Sequence, residues 1–360
     1  MNLETLLGWR YRAWHDTVRD EVYSRLARRG ATAFIRLRWP WPASRPFERP
    51  RLLLRAPGVG IGDNLMCTPV FREIKRRNPA CHITLLTKVP DLFRENPNVD
   101  LVVSDFDLAE RQSLRLGYDH LAPRLSSFAG ATTTAAVSGG SADAPSPALH
   151  HDYAHPEPPP RPLIAIMAEC VGMEFFDNQL DCAAPEVPAS FRQRIAAIPR
   201  PYVVVQPQAS AWTPNKSWPI AHWAEVVQAL LPRFAVVEVG TEPLLPGLVS
   251  DPRFVSLAGS TSVSEFVHVI AGATLYLGPD SGGMHIANAF RVPSVVVFGG
   301  YSAPESFRYP RTVALTGPVR CAPCWLSTPC PYGVACLHRI PAAQVLAAVD
   351  ALLPASAAHD

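Results

Sequence analysis

Tyr276-Leu-Gly-Pro-Asp280-Ser281-Gly282-Gly283-Met284-His285-Ile-Ala-Asn-Ala289 is the stretch on which the fold turns. The apolar run from Ala273 to Leu277 reads as a buried strand, and Gly278-Pro279 is expected to end it. Asp280 and Ser281 are good N-cap residues, and a helical pattern follows through Phe290. Gly282 and Gly283 let a ligand approach the backbone closely. A strand, a tight turn and an open helix N-terminus result. The free N–H groups and positive dipole end of that helix suit a phosphate or diphosphate. Val292-Pro-Ser-Val-Val-Val-Phe-Gly-Gly300 then reads as another buried strand with a Gly-rich exit. An ordinary βαβ crossover with a capped helix has the same outline, so the turn alone does not decide function.

Working outward, Arg51-Leu-Leu-Leu-Arg55 is a short strand that runs into Ala56-Pro-Gly58-Val-Gly60-Ile-Gly62-Asp63-Asn64, and a helix is expected from Leu65. This is the first unit of a doubly wound sheet, but it lacks the usual dinucleotide fingerprint: the glycines alternate, and no acidic residue follows the next strand at the expected place. Asp63 falls in the loop at the carboxyl edge of that strand, where ligands of open α/β sheets bind. It serves there either as a functional carboxylate or as a helix cap. His82 to Thr87 and Asp100 to Ser104 are the next strands, and Leu114 to Leu121 carries a further one. Residues 126–162 lose periodicity and read as a flexible loop, with His150, His151 and His155 as solvated residues rather than metal ligands. Leu163 to Gly172 reads as a helix and Pro185 to Pro201 as the passage between domains.

Tyr202-Val-Val-Val-Gln-Pro opens a second sheet. Lys216 follows in a loop, just before a helix expected to begin at Trp218-Pro219, and a lysine there can neutralise phosphate oxygens. Glu242 stands just past the strand Ala235 to Gly240, where a carboxylate can accept hydrogen bonds from a ribose. Thr261-Ser-Val-Ser-Glu265 carries a capping-box pattern. His285 lies four residues after Ser281, so the two are expected on one helical face toward the same phosphate. Asp280 either binds sugar hydroxyls or orders the turn. In the tail, Cys321, Cys324, Cys330 and Cys336 could hold a structural zinc or iron, stay as free structural thiols, or form disulfides. Ile340 to Leu353 is a final amphipathic helix.

The string Asp280-Ser-Gly-Gly-Met-His-Ile-Ala-Asn-Ala289, with Pro293 and Val297-Phe298-Gly299, resembles the donor-site signature of glycosyltransferase family 9, the ADP-heptose:lipopolysaccharide heptosyltransferases. Gly62-Asp63-Asn64-Leu65 with Pro69 resembles the amino-terminal motif of that family, and Lys216-Ser-Trp218-Pro219 with Trp223 its diphosphate-binding segment. Tyr118-Asp119 resembles a common family pair. The resemblance implies an α/β fold of the GT-B type, two Rossmann-like doubly wound domains facing a cleft. It implies an inverting glycosyltransferase that moves a heptose from ADP-heptose to a lipopolysaccharide-core or related glycan or glycolipid acceptor. Asp63 becomes the general base, and Lys216, Glu242, Thr261, Asp280, Ser281, Gly282, Gly283 and His285 the donor-binding set. No cofactor is needed for catalysis. Transfer from another nucleotide sugar or to a protein acceptor, donor epimerisation, and nucleotide-sugar binding without turnover are the competing functions.

The 360-residue length suggests two domains, expected at 51–185 and 186–340, after a basic helical extension over 1–50 and before a helix over 341–360 that crosses back to the first domain. A net charge of +2 gives no field for nucleic acid. No apolar run reaches the roughly 18 residues of a membrane span, and the N-terminus lacks a signal-peptide pattern, so a cytoplasmic protein is expected. The arginine- and tryptophan-bearing helix over 1–50 either packs on the domain surface or makes peripheral contact with the anionic inner membrane.

Overall fold

The computed structural model describes residues 51–56, 60–104, 120–121, 162–169, 173–209, 213–326 and 328–353. The extension over 1–50, the Tyr118-Asp119 pair and nearly all of the 126–162 loop lie outside these residues. Strands β1 (Arg51–Arg55), β2 (His82–Leu86), β3 (Leu101–Val103) and β4 (His120–Leu121) form one parallel sheet, in the order β3-β2-β1-β4. Strands β5 (Tyr202–Val205), β6 (Ala235–Glu238), β7 (Phe254–Ser256), β8 (Leu275–Pro279), β9 (Ser294–Gly299) and β10 (Thr312–Thr316) form a second, in the order β10-β9-β8-β5-β6-β7. This is the doubly wound order, with its reversal between β5 and β8. β5, β6, β8 and β9 are buried at every position. Their sequences are accordingly near-continuous apolar runs rather than alternations, as a sheet covered on both faces requires.

The helices are α1 (Ile61–Leu65), α2 (Thr68–Arg77), α3 (Leu163–Glu169), α4 (Ala189–Ala196), α5 (Ile220–Leu230), α6 (Val263–Ala271), α7 (Gly282–Ala289), α8 (Ala335–His338) and α9 (Ala342–Leu352). Three of them begin against expectation or sit elsewhere, α1, α4 and α9. α1 starts directly after Gly60, so Asp63 lies in the first turn of a helix rather than in a loop. Asn64 closes that turn: its Nδ2 donates to Gly60 O at 2.8 Å, while its Oδ1 accepts from Thr87 Oγ1 at 2.7 Å. α4 occupies the middle of the expected interdomain passage. α7 starts at Gly282 as expected, with Ser281 as N-cap. α9 does not cross back to the first sheet. It packs on α5 and β9, where Val345 and Val349 complete an apolar cluster with Trp223, Val227 and Leu230. Its apolar face is thereby spent on the second half of the chain.

β8 also runs two residues further than its Gly-Pro pair suggested, with Gly278 opposite Val296 and Pro279 opposite Val297 on β9. The Leu277 carbonyl is the last β8 group to bond on the β5 side, where it accepts from Gln206 N at 2.8 Å. Pro279 faces that same side by alternation, beyond the end of β5. Its missing N–H therefore costs no ladder bond.

A crossing segment ties the two halves together. Arg72 of α2 hydrogen-bonds Asp181, Asp177 at 2.5 Å and the Gln179 carbonyl at 2.9 Å. From the same segment, Gln179 Nε2 donates to Asn288 O, and Leu180 N donates to Asn288 Oδ1, both at 2.9 Å. The first half is thereby held against α7.

Candidate active site

Three strand exits meet at the reversal points of the two sheets. The loop after β5 carries Lys216 in a single 3-10 turn, Pro214–Lys216. That turn is anchored from the Cys-rich tail: Asn215 Nδ2 donates to the carbonyls of Leu326 and Thr328, each at 2.7 Å, and Asn215 Oδ1 accepts from Cys330 N at 3.0 Å. Lys216 Nζ lies 2.9 Å from Asp280 Oδ2 and 4.4 Å from the centre of the Tyr301 ring. Asp280, at the exit of β8, is buried and also accepts a hydrogen bond from Ser302 Oγ. Burial alone would raise its carboxyl. The Lys216 charge and the hydrogen bonds from Ser302 and Lys216 outweigh that and hold it below the usual carboxylate range. Of the two roles open to Asp280, the geometry supports ordering: it fixes Lys216 and the turn.

Ser281 and His285 do not share a face. Ser281 has extended backbone angles (φ −155°, ψ 177°), so helical spacing does not extend to it. Its hydroxyl turns under the helix and donates to Gln206 Oε1 at 3.0 Å, beside Tyr276 Oη, which donates to the same oxygen at 2.8 Å. No side chain caps α7, so its first N–H groups stay oriented for an anion. Gly283 is required by this packing, because an added Cβ would fall 2.4 Å from Gln206 Oε1.

His285 is buried, with Nδ1 2.6 Å from Tyr309 Oη and the rings of Phe307 and Tyr309 edge-on to it. Burial lowers it from 6.5 to about 4, with Asp280 opposing and Lys216 adding to the shift. His285 is thus neutral near pH 7 and acts through hydrogen bonds, not as a cation. Its folded pKa lies below its unfolded one, so acid favours the unfolded chain between those values. Stability from this group is complete above 6.5 and lost as pH falls through about 4, by about 3 kcal/mol. Urea midpoints across that window should show this slope in the wild type and a shallower one in His285→Gln.

α1 of the first half lies against α7 of the second. An added Cβ at Gly62 would fall 2.4 Å from His285 Cδ2, and one at Gly282 would fall 3.0 Å from Ile61 Cβ. This contact sets α1, with Asp63 in its first turn, against α7. The half-buried Asp63 has its Oδ2 folded toward Gly60. Glu242 is exposed beyond β6, and Thr261 is half-buried beyond β7, at the same carboxyl edge. Among the described residues, no hydrogen bond or ion pair joins either to the Lys216–Asp280 pair. Glu238, inside β6, holds the Glu242 loop by accepting from the amides of Leu244 at 2.8 Å and Leu245 at 2.9 Å.

The structure lends no support to a metal at the cysteine tail. Among the described residues, no group of three or more His, Cys, Asp or Glu side chains is gathered to hold an ion. Cys321, Cys324, Cys330 and Cys336 are free thiols, not disulfides. Burial, with the neighbouring tail cysteines adding, pushes the Cys324 and Cys336 thiols up. The spacing brings them near one another, but the loop spends its hydrogen bonds on Asn215. Among the described residues, no helix is long and apolar enough to cross a membrane.

Sequence reasoning missed Asn64, Gln206, Tyr276, Ser302 and Tyr309. Asn64 and Tyr276 lie within stretches already singled out, but none of the five had a role of its own, and only the packing reveals their partners.

Residues 163–324 match the profile of glycosyltransferase family 9 (heptosyltransferase). Lipooligosaccharide heptosyltransferase 2 of Haemophilus influenzae is 34% identical over 110 residues, covering 28% of this chain and 32% of that protein. Lipopolysaccharide heptosyltransferase 3 of Escherichia coli is 31% identical over 174 residues, covering 45% and 49%. The matched stretches thus span at most about half the length of these relatives. The structure is similar to that of E. coli ADP-heptose lps heptosyltransferase II, with a TM-score of 0.61 at 19% identity, covering 84% of this chain and 98% of that one. That likeness extends the GT-B fold over both halves.

Proposed function

We propose that the chain, whose residues 163–324 match the glycosyltransferase family 9 (heptosyltransferase) model, transfers a heptose, or a related sugar, from ADP-heptose to a lipopolysaccharide-core or related glycan acceptor with inversion. The observation that carries this reading is the contact of α1 with α7. It supports the reading because α1 carries Asp63 in its first turn, while α7 has an uncapped N-terminus preceded by Asp280, which pairs with Lys216. Inverting transfer needs a base for the acceptor hydroxyl and a stabiliser for the departing diphosphate. Asp63 takes the acceptor proton. The Gly282 and Gly283 amides and Lys216 face the charge that grows on the diphosphate. Glu242 and Thr261, at the neighbouring strand exits, hold the nucleoside end. The glycines at 62 and 282 permit the close approach that excludes water when the halves meet.

The same reading sets the protein on the cytoplasmic side, with its acceptor at a membrane face. The arginine- and tryptophan-rich stretch over 1–50 provides a peripheral contact there.

Release of ADP from ADP-heptose in the presence and absence of a core-glycan acceptor tests the proposal. Acceptor-dependent release with a new glycosidic product is expected. Donor turnover without acceptor, or binding of a different nucleotide sugar in preference, would overturn the assigned reaction.

A further inference from the structure

We propose that Tyr309 is a positioning residue for this site: its hydroxyl donates to His285 Nδ1 and fixes the imidazole as the Nε2–H tautomer, with that N–H presented to the α1 side of the cleft. The inference rests on the transferase reading only for its kinetic consequence.

The argument is one of hydrogen-bond satisfaction. Tyr309 is buried at 7% exposure, just before β10, and its oxygen lies 2.6 Å from His285 Nδ1. Among the described residues the phenol oxygen has no other hydrogen-bond partner. Were the ring proton on Nδ1, the phenol would accept it and leave its own O–H buried without an acceptor, which costs about as much as a lost hydrogen bond. With the phenol donating, the phenol and Nδ1 are both satisfied and the ring proton is on Nε2; that leaves one buried N–H open, against an open O–H and an open ring nitrogen in the other tautomer. Burial, with the charges of Asp280 and Asp63, raises the Tyr309 phenol well above its usual range, so it keeps the proton it donates. The Phe307 ring, edge-on at 5.4 Å, holds the imidazole plane.

The other edge of the ring faces the first half of the chain. An added Cβ at Gly62 would fall 2.5 Å from Nε2, so only glycine leaves room beside that nitrogen. The Nε2–H then has no hydrogen-bond acceptor among the described residues, although His285 is only 4% exposed. It points to where a phosphoryl or sugar oxygen would lie between α7 and Asp63. A neutral donor there binds an oxygen without offering Asp63 an acidic proton, which a charged imidazolium would do. Tyr309 thus acts on the reaction only through His285.

Two measurements test this. In protein labelled with 15N in its histidine rings, long-range proton–nitrogen spectra report the tautomer directly, and His285→Gln identifies the signal. The Nε2–H form is expected in the wild type and a mixture in Tyr309→Phe. An Nδ1–H form in the wild type overturns the proposal, whether or not any transfer activity is found. For kinetics, Tyr309→Phe should lower kcat by about 3- to 10-fold, the worth of one neutral hydrogen bond. Glutamine at 285 supplies an amide donor of its own, so adding Tyr309→Phe to His285→Gln should cost nothing further. An equal loss in both backgrounds would mean that Tyr309 only fills space.

Discussion

Asp63→Ala is expected to lower acceptor-dependent turnover by about 10²- to 10⁴-fold while ADP binding persists. The size of the loss separates the two roles open to this carboxylate. Asp63 is the one acidic residue in the first turn of α1. Its favourable interaction with the helix dipole is worth about 0.3–1 kcal/mol. Loss of a general base raises the barrier by about 3–5 kcal/mol, at 1.36 kcal/mol per tenfold. A structural acid would therefore show a small shift in the urea midpoint and a matching small change in rate. A base shows the same small shift with a rate loss far out of proportion. Asp63→Asn sharpens the comparison, because it keeps the shape and removes the basicity. α1 itself stays in place in both variants, since Asn64 holds its first turn to Gly60 and to Thr87. Turnover that survives either substitution removes Asp63 as the base.

The parts of this site that were legible in the sequence are those fixed by local pattern. The β5 and β8 strands are runs of apolar residues buried on both faces, and composition alone marks such strands. The capping box of α6 is a three-residue relation, and Ser262 and Glu265 make it as expected. What stayed hidden depends on residues far apart in the chain or on exact backbone angles. Lys216 and Asp280 each suggested a ligand contact on their own, but nothing local says that they pair with each other. Ser281 and His285 looked coplanar by count, yet the count fails where the backbone of Ser281 is extended. The alternating glycines at 58, 60 and 62 suggested a long loop, whereas α1 begins inside them, and Gly62 is set by its close approach to His285. The four tail cysteines had spacing that allowed a metal, but among the described residues no group of three or more ligands is gathered there.

The Lys216–Asp280 pair gives the second large effect, and one with two separable components. Lys216→Met leaves the Asp280 carboxylate buried with only Ser302 to hold it. Stability should drop by about 3–5 kcal/mol, the usual cost of orphaning one member of a buried ion pair. Turnover should fall by about 10²–10³-fold if the lysine also faces the departing diphosphate. A single substitution confounds the two, since a partly unfolded enzyme is also a slow one. Adding Asp280→Asn separates them. The double variant has no buried charge, and an amide can still accept from Ser302, so most of the lost stability should return. Turnover should not return with it, because the positive charge at the β5 exit is gone. Recovery of both together would mean that Lys216 serves only to neutralise Asp280, and the diphosphate would then depend on the α7 N-terminus alone. Recovery of stability without rate places the lysine at the reaction itself and leaves Asp280 as the residue that aims it.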